Sequence, residues 1–167
     1  MKKIRKNAVI ITGQEFEDPE VIYPFYRLVA AGFNADIATE NGLDVKGKFG
    51  FPISALLKPN KPINTVDLQV INYDIVLIPG GHVAPDRIRQ LKDVTNFTRE
   101  MHEAGKLVTS ICHGPWVLIS AGILEGVKAT CYPSMVDDLK NAGAFYENKS
   151  VVTDNNIITS RRPRDLP

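Results

Sequence analysis

Cys112 and His113 are adjacent in Ser110-Ile111-Cys112-His113-Gly114-Pro115, at the junction of two runs of opposite character. Residues 106–111 are short, apolar and β-branched, the composition of a buried parallel strand. Residues 116–124 read as a mostly buried helix, starting beside Pro115, a residue tolerated in a first helical turn. Cys112 is therefore expected on a strand-to-helix elbow, the geometry that lifts a nucleophile above the carboxyl edge of a sheet. A helix start supplies partial positive charge and unpaired N–H groups, both of which favour thiolate over thiol. Buried free cysteine is often only a small hydrophobe. The neighbouring His113, Gly114 and Pro115 favour the reactive reading.

Two further loops carry polar groups that could join this chemistry. Pro79-Gly80-Gly81-His82 follows an apolar run at 73–78, and Gly13-Gln14-Glu15-Phe16-Glu17-Asp18 follows another at 7–12. Gly80 and Gly81 would let backbone N–H groups approach an oxyanion formed when Cys112 attacks a carbonyl, with the amide of Cys112 or His113 as second donor. They also suit a plain tight turn, and no phosphate-loop spacing is present. Glu15, Glu17, Asp18 and Glu20 crowd a helix beginning, where acidic residues are favoured in any case. A carboxyl group buried beside the sulfur would stay protonated and donate a hydrogen bond to the thiolate. His82 is a further substrate-contacting candidate, whereas His102 lies in the polar stretch 99–103. The cysteines and histidines lack paired ligand spacing, so neither metal nor cofactor is expected.

The elements that must bring these loops together alternate along the chain. Strands are expected over 7–12, 33–39, 73–78 and 106–111, with helical patterns over 18–31, 86–104, 116–124 and 134–142. Residues 45–54 suggest a hairpin-like excursion, 58–62 a loop, 129–132 a short strand, and 151–160 a terminal strand pair. This order predicts a flavodoxin-like, doubly wound α/β domain whose mostly parallel sheet carries helices on both faces. Ligands then bind at the carboxyl ends of the strands, where the three loops would converge.

Composition narrows the setting. The 167 residues, 44% hydrophobic with net charge +1, suit one domain over 1–167. Twenty basic and nineteen acidic residues leave no excess for nucleic acid, despite a small cluster at Arg161-Arg162-Pro163-Arg164. The basic start Lys2-Lys3-Ile4-Arg5-Lys6 lacks the apolar run of a signal peptide, and no stretch has membrane-spanning length. Cys112 and Cys131 form neither a disulfide framework nor a C-x-x-C pair, which fits a reducing cytoplasm.

Glu15-Phe16-Glu17-Asp18, Pro79-Gly80-Gly81, Ser110-Ile111-Cys112-His113-Gly114-Pro115 and Thr159-Ser160-Arg161, in that order, resemble the PfpI branch of the ThiJ/PfpI superfamily across nearly the whole chain. The resemblance implies the flavodoxin-like fold, Cys112 as elbow nucleophile, Glu17 as its protonated partner, and oxyanion amides from Gly81 and His113. It implies chemistry on methylglyoxal and glycated adducts, or peptidase activity, in a dimer, trimer or hexamer. For the peptidase, His113 would pair with an acid of a neighbouring subunit, and Asp86 is the matching position. Asp stands there where Glu is expected, and the loop is one residue longer. Both departures favour the reactive-carbonyl reading over the peptidase. A redox sensor or chaperone-like protein, signalling through oxidation of Cys112, is the non-enzymatic alternative. Family members also continue beyond the position of Pro167 into a final helix.

Overall fold

The computed structural model describes residues 6–167, so most of the basic Lys2–Lys6 run lies outside the described residues. Five parallel strands make up most of the sheet. They are β1 (Asn7–Ile11), β2 (Asn34–Thr39), β3 (Ile63–Asn64), β4 (Ile75–Ile78) and β5 (Leu107–Ile111). β8 (Val151–Asp154) and β9 (Ile157–Ser160) complete a seven-stranded sheet in the order β3-β2-β1-β4-β5-β9-β8. All neighbours are parallel except β8 and β9, which form an antiparallel pair. Their Val/Ile-rich strands are what a sheet buried from both sides requires.

The helices are α1 (Asp18–Ala30), α2 (Ser54–Leu57), α3 (Val83–Ile88), α4 (Lys92–Glu103), α5 (Pro115–Ala121) and α6 (Val136–Asn141). One apolar cluster joins Ile10, Val21, Phe25 and Ile37, so α1 packs over β1 and β2. A larger one joins Val76, Val94, Met101, Val108, Leu118 and Leu139, which places α4, α5 and α6 on the opposite face. Helices on both faces of this sheet make the fold flavodoxin-like α/β, as its sequence pattern predicts.

Two expectations change in detail. The helical pattern 86–104 is two helices, because the backbone turns at Arg89, Gln90 and Leu91 with amides bonded to Pro85, Arg87 and Ile88 carbonyls. The excursion at 45–54 is hairpin-like, as expected: the antiparallel bridge Lys46–Pro52 and the Ile53 N to Val45 O bond at 3.1 Å close it on itself, and the parallel bridge Phe16–Gly47 ties it to the loop after β1. The short strand near 129–132 is β6 (Lys128–Ala129), which leaves the main sheet and pairs with β7 (Phe145–Tyr146).

Chain order reverses between β1 and β4. From β1 the chain moves to β2 on one side, and from β4 it moves to β5 on the other. Such a switch point opens a crevice at the carboxyl ends of the strands, and the loops after β1, β4 and β5 end there.

Candidate active site

The elbow is built by sterics at three glycines and one strained residue. Cys112 has φ +62°, in the left-handed region that costs a side-chain-bearing residue about 1 kcal/mol or more. Its amide donates to Ser160 O on β9, 3.0 Å, and its carbonyl accepts from Tyr132 N, 2.9 Å, so both sides of the turn are pinned. Gly114 then starts α5, where a Cβ would meet Ile78 O and Ser110 Oγ. The sequence places Gly80 and Gly81 after β4 for a comparable reason. A Cβ on Gly80 would stand 2.6 Å from both Cys112 Cβ and Glu20 Oε2, and Gly81 has φ +88°.

The carboxylates separate cleanly, and the result corrects the assignment of Glu17. Glu17 is the N-cap of α1 with extended backbone, and its side chain reaches Lys48 Nζ at 3.8 Å. Asp18 accepts from Phe49 N at 2.9 Å and Phe51 N at 3.3 Å, clamping the 47–51 turn. Glu15 is exposed. Glu20 alone is fully buried, accepts from Gly80 N at 2.7 Å, and meets Cys112. The Gly80 bond is to Oε2, and Oε1 has no hydrogen-bond partner among the described residues.

The reason lies in helix geometry. Pro19 in the first turn fixes the start of α1 at Asp18, which makes Glu20 the third helical residue. A glutamate there usually turns back to bond the N-cap amide. Here the Glu17 amide is taken by Gly80 O, 3.3 Å, so the Glu20 carboxyl is free to reach Gly80 N and the sulfur.

Burial pushes Glu20 up to about 8, with the Glu17 charge adding and the Gly80 amide opposing. It is therefore protonated at neutral pH. Burial also pushes the Cys112 thiol up, as does Glu20 when ionised, while amides of Gly81 and His113 pull it down. With Glu20 protonated, the like-charge repulsion is gone and the same carboxyl can donate to the sulfur. The Gly80 N–H is occupied by Glu20, which removes Gly80 from the expected oxyanion donors and leaves Gly81 and His113 facing the sulfur.

His113 curls back onto its neighbour. Its Nδ1 lies 3.3 Å from Cys112 Sγ and its Nε2 3.4 Å from Ser134 Oγ. The ring stacks on Tyr132 with centroids 4.7 Å apart and meets Trp116 at 5.0 Å and His82 at 5.5 Å. Burial lowers it to about 4, with His82 adding, so the imidazole is neutral. His82 is exposed at the rim and thus joins the site through an aromatic contact. Asp86 is exposed on α3 and makes no contact with His113 within this chain. His102 lies on α4, where its carbonyl meets Asn156, at the amino end of β5 and away from the elbow. No group of three or more His, Cys, Asp or Glu among the described residues is placed to hold a metal.

Ser134 and Tyr132 were not singled out by sequence reasoning. The available signal was Cys131-Tyr132-Pro133-Ser134, a proline turn directly after a short strand.

The model of the DJ-1/PfpI family matches residues 6–167. The chain is 40% identical over 159 residues to "Deglycase PH1704" of Pyrococcus horikoshii, covering 95% of this chain and 92% of that protein. It is 41% identical over 165 residues to "Protein/nucleic acid deglycase 2" of Escherichia coli, covering 98% and 92%. The crystal structure of Drosophila melanogaster DJ-1beta superposes with a TM-score of 0.87 at 30% identity, covering 97% of this chain and 84% of that one. With a family model matched over residues 6–167 and relatives at 40% identity over nearly their whole length, the chain belongs to the DJ-1/PfpI family.

Proposed function

We propose that the protein is a cofactor-free enzyme that uses Cys112 on reactive carbonyls, as a glyoxalase or deglycase. The observation that carries this reading is the buried Glu20 carboxyl between Gly80 N and Cys112, protonated at neutral pH beside a nucleophile that needs a donor. Relatives named deglycases support the substrate class.

The sulfur adds to the aldehyde carbon of methylglyoxal, forming a C–S bond and an oxyanion that Gly81 and His113 amides receive. Glu20 gives its proton to that oxygen, and the resulting carboxylate takes the hydrogen of the same carbon as a proton. That proton passes to the ketone carbon and another moves between the two oxygens, leaving a lactoyl thioester. Water cleaves the C–S bond, giving lactate and the thiolate, and of the two protons released one returns to Glu20 and the other leaves to solvent. A group whose pKa sits near the working pH is suited to such two-way transfer, and Glu20 at about 8 is that group. On a glycated amine or thiol the same addition ends with release of the repaired group. Lactate formation from methylglyoxal, followed by enzymatic lactate detection, is expected to fall at least a hundredfold in Cys112→Ala. Full activity in that variant overturns the reading.

The 3.3 Å contact between Sγ and Nδ1 also suits a cysteine peptidase. That reading needs an acid on Nε2, and Asp86 is exposed on α3, so a second copy of the chain must deliver it. It predicts cleavage of unfolded peptides that disappears in a dilute monomer.

A further inference from the structure

We infer that His82 is a further catalytic residue, the base that activates the water which releases lactate from Cys112. The inference rests on the reactive-carbonyl reading and supplies the group that its last step requires.

Hydrolysis of the lactoyl thioester needs a water beside the acyl carbon and a base to take one of its protons. Glu20 is fully buried and its Oε2 is held by Gly80 N, which suits transfer within the bound substrate rather than contact with solvent. His113 is 8% exposed, and both its ring nitrogens are taken, Nδ1 at 3.3 Å from Cys112 Sγ and Nε2 at 3.4 Å from Ser134 Oγ. Trp116 gives its N–H to Asp138 Oδ2 at 2.9 Å. His82 is the remaining nitrogen base against this cluster.

The loop after β4 sets His82 in place. It directly follows Gly81, whose amide faces the sulfur. A Cβ on Gly81 would stand 2.6 Å from Glu15 O, so the turn that delivers His82 is packed against the loop after β1. His82 then occupies the N-cap of α3, yet its side chain makes no capping bond to that helix. The ring instead meets His113 edge to face with centroids 5.5 Å apart, and Trp116 at 5.9 Å, while remaining exposed. One imidazole thus stands a single contact away from the ring beside the sulfur, and is open to water.

A neutral imidazole has one bare nitrogen that accepts a proton, and histidine is the side chain suited to proton exchange near neutral pH. In the step, a water O–H bond breaks and its proton goes to the bare nitrogen of His82. The electron pair of that bond forms the new bond from oxygen to the acyl carbon. The carbonyl oxygen becomes an oxyanion on the Gly81 and His113 amides. As the carbonyl reforms, the C–S bond breaks and its electron pair stays on sulfur, giving the Cys112 thiolate. The proton of the nascent lactic acid returns to Glu20, and His82 passes its own to solvent.

The test is turnover of methylglyoxal by the full chain and by two variants, His82→Ala and His82→Phe, the second of which keeps a ring against His113 and Trp116 but carries no base. Samples quenched during turnover are treated with hydroxylamine, which converts a thioester to a hydroxamate and leaves a hemithioacetal without one. Both variants are expected to lose about a hundredfold in kcat. KM is expected to fall in step, so that kcat/KM stays within about twofold, because only the step after acylation slows. Lactohydroxamate is expected from most of the Cys112 in the variants and from little of it in the parent. With lactate formed by the parent, a parent-like kcat in either variant, or a loss carried by kcat/KM without lactohydroxamate, overturns the inference and leaves the reactive-carbonyl reading standing. A parent that forms no lactate overturns that reading, and the inference with it.

Discussion

Glu20 is the residue on which the chemistry and the stability of this protein meet. A carboxyl raised from 4.5 to about 8 binds a proton in the folded chain that the unfolded chain has already lost across that window. The sign follows from linkage. Between those values the unfolded state binds fewer protons, so stability is fully present below about pH 4.5 and is lost as pH rises through about 8. Each unit is worth about 1.4 kcal/mol, so the whole effect is on the order of a few kcal/mol. Urea denaturation at pH 5 and pH 9 is expected to show that loss in the parent and a much smaller one in Glu20→Gln. Equal slopes in the two proteins would show that Glu20 is not the group concerned.

At the scale of elements, the two loops after β4 and β5 touch so closely that one added methyl separates them. Gly80→Ala places its Cβ 2.6 Å from Cys112 Cβ and 2.6 Å from Glu20 Oε2, and 2.9 Å from His113 N. Overpacking of this kind costs about 1 to 3 kcal/mol, and here it also pushes the carboxyl off the sulfur. Thermal unfolding and lactate assays should both report the loss, and a parent-like variant would contradict the packing. These loops were legible in the sequence because short apolar runs bounded by glycine have few other uses, and the elbow at Cys112 follows from them. The choice among four acids was not. Glu17 stands four residues before Val21 and eight before Phe25, which imitates the buried stripe of α1, yet as N-cap it lies outside the helical repeat. Glu20 reads from sequence as one more charge in a first turn. Only the Gly80 loop, sixty residues away, shows where it points. The aromatic clamp was hidden likewise, since Tyr132 and Trp116 reach His113 across separate elements.

Across the whole molecule, Cys112, Glu20, Gly81, His113 and Ser134 all come from one chain. Turnover of methylglyoxal per subunit is therefore expected to hold within about twofold on dilution through any dissociation of an oligomer, followed by sedimentation alongside lactate formation. A steep fall on dilution would favour the peptidase reading, in which Asp86 must arrive from another copy. One face of the sheet is less covered than the other. Ile75, Leu77, Leu107 and Thr109 line an apolar hollow of about 400 Å³ with Tyr23, Leu28, Leu166 and Pro167, on the side where α1 covers β1 and β2. This hollow is remote from the chemistry, because Leu107 opens β5 whereas Cys112 follows its other end.

The depth of the sulfur has a consequence for what can be repaired. With Cys112 5% exposed behind Tyr132, His82 and Trp116, reach rather than reactivity decides which carbonyls are met. A two- or three-carbon aldehyde can descend alone, and an adduct at the tip of a long side chain can be lowered on its own tether. On the proposed carbonyl chemistry, a sulfur recessed in this way favours narrow lesions that project from a polypeptide over the intact chain itself.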